Sequence, residues 1–242
     1  MIMDTSKSML TADVKPNRLQ RAKFAVKDLL KKLHGDRAGL IAFSGNAFLT
    51  CPLTTDYAGF LLSLDDLNVQ TIPRGGTNIA SAIEEALKGY SDVPAQYKVV
   101  VILTDGESVE GDPLFWAKKA ADKKIRIYTV GIGTRDGELI RIEDQDGSGA
   151  FLKDSSGNFV KSSLNENLLK EIAVTTGGAY VRAGGVELGL DYIYDNYLSH
   201  LEKRDIESRM EQCYDERFQW PLGLALIFLS IEFILSTRRP ES

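Results

Sequence analysis

Cysteine and histidine are nearly missing from this chain: 242 residues hold two of each. Cys51 and Cys213 lie far apart and make no metal-spaced cluster, which argues against a zinc module or a disulfide scaffold. His34 and His200 are isolated, with no nucleophile motif beside either. An excess of basic charge is also missing. The net charge is -5, which argues against nucleic acid as the main partner. No P-loop occurs, so any ATPase must be a partner protein. Internal repeats and low-complexity tracts are absent. What remains is ordinary: 43% hydrophobic and 26% charged residues, in a chain long enough to bury a real core. The mean hydropathy of -0.14 points away from a membrane protein. That average conceals one segment.

Residues 218–236 read FQWPLGLALIFLSIEFILS. At about 1.5 Å per residue the run is close to a bilayer core in length. Asp215, Glu216 and Arg217 precede it, and Arg238 and Arg239 follow. Trp220 stands where an interfacial aromatic belongs. Glu232 lies about one turn from the end, where it can snorkel or protonate. The expectation is a single transmembrane helix over 218–236, with a tail at 237–242. Flanking basic residues stand on both sides, so charge does not set the orientation.

The rest alternates strand and helix. Met1–Met3 is the stub of a strand. Leu19, Ala22, Val26, Leu29, Leu30 and Leu33 have helical spacing within 16–33. Residues 39–43, 98–103, 125–130 and 179–182 read as strands. Residues 56–67, 78–90, 113–124 and 168–176 read as helices. KVVVIL at 98–103 suits a strand buried on both faces of a parallel sheet. The predicted fold class is α/β, a doubly wound, mostly parallel sheet with helices on both faces. Residues 134–164 break the rhythm as an inserted β-hairpin around Asp154-Ser155-Ser156-Gly157-Asn158. The predicted division is a domain over 1–187, a helical connector over 188–217, then the membrane segment.

In open α/β sheets, ligands bind beyond the carboxyl ends of strands. Three loops expected there carry hard oxygen donors. Asp4-Thr5-Ser6-Lys7-Ser8 follows the first strand, Thr77 follows Gly75-Gly76, and Asp105 follows KVVVIL. Asp4, Ser6, Ser8, Thr77 and Asp105 thus form a candidate metal site of two carboxylates and three hydroxyls. Without thiolate or imidazole, the set suits Mg²⁺ (or Mn²⁺ or Ca²⁺) rather than Zn²⁺. Each piece has a plainer reading alone. Ser6, Ser8 or Thr77 could cap a helix, and Asp105-Gly106 could be a simple turn.

D-x-S-x-S, then T, then a strand ending in D-G resembles the metal-ion-dependent adhesion site (MIDAS) of von Willebrand factor A domains. Arg74-Gly75-Gly76-Thr77-Asn78-Ile79 and Ile102-Leu103-Thr104-Asp105-Gly106 are similar to that family, and the resemblance covers roughly residues 1–183. It implies Ser6, Ser8 and Thr77 on the metal directly, Asp4 and Asp105 through water, and an open position for an acidic side chain of a protein partner. Gly131-Ile132-Gly133-Thr134, Thr176-Gly177-Gly178-Ala179-Tyr180 and Glu216-Arg217-Phe218-Gln219-Trp220 narrow the resemblance to the bacterial aerotolerance (Bat-type) membrane subfamily. That implies an inner-membrane protein, with the domain outside the cytoplasm. It also implies work alongside a MoxR-type AAA+ ATPase and other von Willebrand factor A proteins, in stress tolerance or envelope protein assembly. A binding module is expected, not an enzyme.

Two departures stand out. Lys7 occupies a position often held by glycine, although loop alternation should point it outward. Only Met1–Met3 precede Asp4, where the family has a full central strand after one or two membrane helices. Truncation at the N-terminus is therefore expected, with in-frame apolar codons upstream of Met1.

The rival is a Mg²⁺-dependent phosphohydrolase of open α/β fold. Aspartyl-phosphate enzymes typically place a second carboxylate two residues after the first, and here Ser6 stands there. Asp144-Gln145-Asp146-Gly147-Ser148-Gly149 begins like an EF-hand loop, but Ser155 replaces the bidentate glutamate. Gly131, Gly133 and Gly137 have the wrong spacing for a dinucleotide loop. Lys27, Lys31 and Lys32, and Lys118, Lys119, Lys123 and Lys124, read as solvated helix faces.

Overall fold

The computed structural model describes residues 1–90, 98–143, 149–154, 156–183, 189–199 and 219–236. It divides into two compact units, Met1–Glu202 and Lys203–Ser242.

The first unit is built on a six-stranded sheet. Its strands are β1 (Ile2–Asp4), β2 (Ala38–Phe43), β3 (Ala47–Thr54), β4 (Val99–Thr104), β5 (Arg126–Ile132) and β10 (Tyr180–Ala183), ordered β10-β5-β4-β1-β2-β3. All neighbours pair in parallel except β2 and β3. The antiparallel edge strand β3 was not expected from sequence. Of its eight residues only Cys51 is buried, so no in-and-out alternation marks it. Pro52 interrupts it where the register slips.

Alternate side chains of the central strands feed two cores. Met3, Leu40, Val101, Leu103 and Val130 pack with α1 (Arg18–Lys32) and α2 (Tyr57–Asp66). Ile2, Ile41, Val100, Ile102 and Ile127 pack with α3 (Ile79–Gly89), α4 (Pro113–Asp122) and α5 (Glu166–Thr175). Burial on both faces explains why KVVVIL carries no polar alternation. Asparagine or aspartate caps each of these five helices: Asn17, Asp56, Asn78, Asp112 and Asn165.

The insert pairs within itself. β6 (Glu138–Leu139) joins β9 (Lys161–Ser162), and β7 (Arg141–Glu143) joins β8 (Gly149–Phe151), both antiparallel. The expected turn closes with Gly157 N–H donating to the Asp154 carbonyl at 3.0 Å. Asp144 to Ser148 and Ser155, which carried the EF-hand comparison, lie outside the described residues.

Beyond β10, α6 (Leu190–Ile193) continues into a π-helical turn at Tyr194–Leu198. Lys32 of α1 pairs with Asp191 and Asp195, and the Tyr194 hydroxyl donates to the Lys32 carbonyl. The start of the expected connector therefore belongs to the first compact unit. Residues 200–218 and 237–242 lie outside the described residues.

The second unit contains α7 (Gln219–Ser236). Its side chains are described over 222–232, about 16 Å of helix at roughly 1.5 Å per residue. Leu222, Leu224, Leu226, Ile227, Phe228, Leu229 and Ile231 are all exposed. Among the described residues no helix is long and apolar enough to cross a membrane.

Candidate metal centre

The chain leaves β1 through α1 towards β2 on one side, while β4 pairs with β1 on the other. Chain direction therefore diverges beyond the carboxyl ends of β1 and β4, the place where open α/β sheets bind ligands. Asp4 ends β1, and Asp105 follows β4.

The five predicted residues are all buried. Asp4 is engaged at both oxygens: Oδ1 accepts from the Ser6 N–H at 2.8 Å, and Oδ2 accepts from the Thr104 hydroxyl at 2.6 Å. Thr5 turns away and donates both N–H and hydroxyl to the Phe43 carbonyl. Lys7 is exposed, as the loop alternation predicts. Between them Ser6 and Ser8 place their hydroxyl oxygens 2.8 Å apart. The short 3₁₀ turn Lys7–Leu10 makes no side-chain capping bond to Ser6, so that hydroxyl is not used as a cap.

Thr77 is held from two directions. Gly76 has a φ of +103°, which glycine adopts readily. The Ser44 hydroxyl donates to the Gly76 carbonyl at 2.8 Å, and the Val109 N–H donates to the Thr77 carbonyl at 2.9 Å. Asn78, not Thr77, caps α3 by accepting from the Ser81 N–H. The capping alternative therefore does not account for the Thr77 side chain.

Asp105 is also engaged at both oxygens. Oδ1 accepts from the Glu107 N–H at 3.1 Å. Oδ2 accepts from Arg18 Nη1 at 3.0 Å and from the Ser162 hydroxyl at 3.3 Å. Burial first, and then the Asp105 charge, push the Asp4 carboxyl up to about 7. Two buried carboxylates that repel, beside a pair of buried hydroxyls, fit a hard divalent cation. Among the described residues no group of three or more His, Cys, Asp and Glu converges to hold a metal; the candidate site has two carboxylates and three hydroxyls.

The sequence reading missed the residues behind the carboxylates: Thr104, Arg18, Asp13 and Ser162. Arg18 carried a signal, since it stands in helical register with Ala22, Ala25 and Leu29 on the buried stripe of α1.

A family profile described as von Willebrand factor type A domain matches residues 1–107. Among solved structures, BatB of Bacteroides thetaiotaomicron and an aerotolerance-related membrane protein of Bacteroides fragilis are each 34% identical to this chain. Both superpose with a TM-score of 0.75 over 80% of it, covering 93% and 94% of their own chains. The chain belongs to the von Willebrand factor type A family. Within it, the chain groups with these aerotolerance-related proteins. It is 26% identical over 244 residues to an uncharacterized protein of Borreliella burgdorferi, covering 98% of this chain. The chain spans 67%, 60% and 55% of the lengths of the first three curated relatives it matches. A more distant von Willebrand factor A fold neighbour, proximal thread matrix protein 1 of the mussel byssus, has a zinc-occupied MIDAS motif; it is 18% identical with a TM-score of 0.54.

Proposed function

We propose that this von Willebrand factor A domain is a divalent-cation-dependent protein-binding module. The observation that carries this is the hydroxyl pair of Ser6 and Ser8, 2.8 Å apart and flanked by the buried carboxylates Asp4 and Asp105. Ser6, Ser8 and Thr77 would hold the cation, with Mg²⁺ the best match to the donors and Mn²⁺ or Ca²⁺ as substitutes. Asp4 and Asp105 have both oxygens engaged within the protein, which suits action through water. When bound, the cation supplies a Lewis-acid anchor for an acidic side chain on the partner. Glu107 approaches the loop, but its Oε1 accepts from the Ser163 N–H at 2.7 Å. No side chain is assigned a catalytic role.

We read the parts as a domain over 1–187, a connector over 188–217 whose first described residues, 189–199, pack on the domain, a transmembrane helix over 218–236 and a tail over 237–242. Support for the anchor is the helical backbone Gln219–Ser236, about 27 Å long, with apolar side chains exposed along its described part. Ser230 donates to the Leu226 carbonyl at 2.8 Å, so its hydroxyl needs no water. The bacterial inner membrane is the proposed location, with the domain outside the cytoplasm. A MoxR-type AAA+ ATPase and other von Willebrand factor A proteins are the proposed associates, in stress tolerance or envelope protein assembly.

Capture of partners from solubilised membranes, in Mg²⁺ and in EDTA, tests the proposal. Wild-type protein should retain partners only in Mg²⁺, and Ser8→Ala should lose them. Equal capture in EDTA would refute the mechanism. Asp105→Ala is a poor test, because it also removes a buried partner of Arg18.

A further inference from the structure

Behind Asp105 lies a fully buried guanidinium. Arg18 Nε and Nη2 grip both oxygens of Asp13, at 2.8 and 2.7 Å. Its third nitrogen, Nη1, turns the other way. That nitrogen donates to Asp105 Oδ2 at 3.0 Å and to the Ser162 hydroxyl at 2.6 Å. Asp13 is itself fixed, accepting from the Thr134 N–H at 2.8 Å and the Thr134 hydroxyl at 3.0 Å. Gly133 makes room, since a Cβ there would fall 2.8 Å from Arg18 Cζ. Four segments of chain therefore converge to hold one guanidinium against one oxygen of Asp105.

This arrangement costs a great deal of desolvation, and packing alone does not require it. Its chemical effect falls on Asp105. Oδ2 accepts from both the Arg18 guanidinium and the Ser162 hydroxyl, so its two lone pairs are taken, while Oδ1 accepts only the Glu107 N–H. We propose that Arg18 is a positioning residue of the cation site, holding Oδ2 of Asp105 back from direct ligation. A cation beside these side chains would then have one carboxylate oxygen fewer around it, which leaves a position for a group on the partner. The Ser162 hydroxyl, on β9 of the insert, completes the clamp. The insert thereby contributes to a site it does not line. The inference rests on the reading of Asp4, Ser6, Ser8, Thr77 and Asp105 as that site.

The test uses Mn²⁺ alone, titrated into the full chain in detergent. Affinity and the number of bound waters are read from water-proton relaxation. Arg18→Gln should bind Mn²⁺ at least about threefold more tightly than wild type, and Asp13→Asn/Arg18→Gln, which leaves the net charge unchanged, should bind more tightly by a smaller factor. Each should also hold one bound water fewer, as Asp105 moves into direct contact. Arg18→Lys keeps the charge but not the fork that spans Asp13 and Asp105, so its affinity should fall between wild type and Arg18→Gln. The paired variant leaves Asp13 uncharged, so it carries the comparison if the single substitution does not fold. A merely structural role predicts weaker binding in proportion to lost stability, with the water count unchanged. Folded glutamine variants with unchanged or weaker Mn²⁺ binding and an unchanged water count would overturn the role of Arg18 while leaving the site intact. Absence of Mn²⁺ binding in wild type would overturn both.

Discussion

At the residue scale, hydroxyls and carboxylates do different work. The Asp4 and Asp105 carboxylates are satisfied by internal donors, while Ser6 and Ser8 face each other. Ser8→Ala should therefore weaken Mg²⁺ binding by tenfold or more and barely alter folding, as calorimetric titration and urea melts would measure. Arg18→Ala should do the reverse of a neutral surface change. It strands Asp13 and Asp105, with a cost of about 3–5 kcal/mol in urea unfolding. Asp4 adds a pH signature. Its carboxyl is raised from 3.8 to about 7, so the folded state keeps a proton that the unfolded state has lost across that window. In EDTA, stability should fall as pH rises from about 4 to about 7, and Asp4→Asn should remove that slope. A flat wild-type profile would contradict the raised Asp4 carboxyl, and so the burial and the Asp105 charge that raise it.

Spacing and strand ends single out Asp4, Ser6, Ser8, Thr77 and Asp105 in the sequence, and all five are buried. Arg18 was not legible in this way, because an arginine in the first turn of a helix usually lies in solvent. Only its register with Ala22, Ala25 and Leu29 betrays burial.

At the element scale, strands with two buried faces announced themselves and the edge did not. Runs such as Val99–Thr104 need no alternation to be read. β3 is half exposed and broken by Pro52, so neither period appears. The insert was visible as a break in the strand–helix rhythm. Its pairings were not, because strands of two and three residues carry too little pattern. The insert's end is nevertheless bound firmly to the site loop, with Asn165 N–H donating to the Asp105 carbonyl at 2.9 Å and Ser163 N–H to Glu107. Beside this junction Arg135, Lys170 and Arg182 surround Glu166. The Arg135 bond leads in holding its carboxyl down at about 2. A depressed carboxylate stabilises the fold above its ordinary value of 4.5, and that contribution is lost as pH falls towards about 2. Glu166→Gln should therefore flatten the acid limb of stability below pH 4.5, measured by thermal melts. An unchanged acid limb would mean that the cluster is screened by water. Gly106 provides a steric control: at φ +76° a Cβ would meet the Asn165 carbonyl oxygen at 2.7 Å. Gly106→Ala should destabilise the loop by roughly 1–3 kcal/mol, as urea unfolding would report.

At the scale of the whole molecule, composition alone pointed to a soluble acidic domain. Both hydrophobic cores lie within Met1–Glu202, whereas α7 exposes apolar side chains along its described part. The proposed anchor predicts that the chain partitions into membranes and resists carbonate extraction, and that removal of residues 219–242 releases it. Release of the intact chain by carbonate would contradict the anchor.

The cation claim is tested most directly by titrating Mg²⁺ calorimetrically into wild type and into Ser6→Ala/Ser8→Ala. The account predicts one site in wild type and affinity at least tenfold weaker in the double variant. Thermal stability of the wild type should rise with free Mg²⁺ as linkage requires. No binding at millimolar Mg²⁺ or Mn²⁺, or equal binding by a folded double variant, would contradict it.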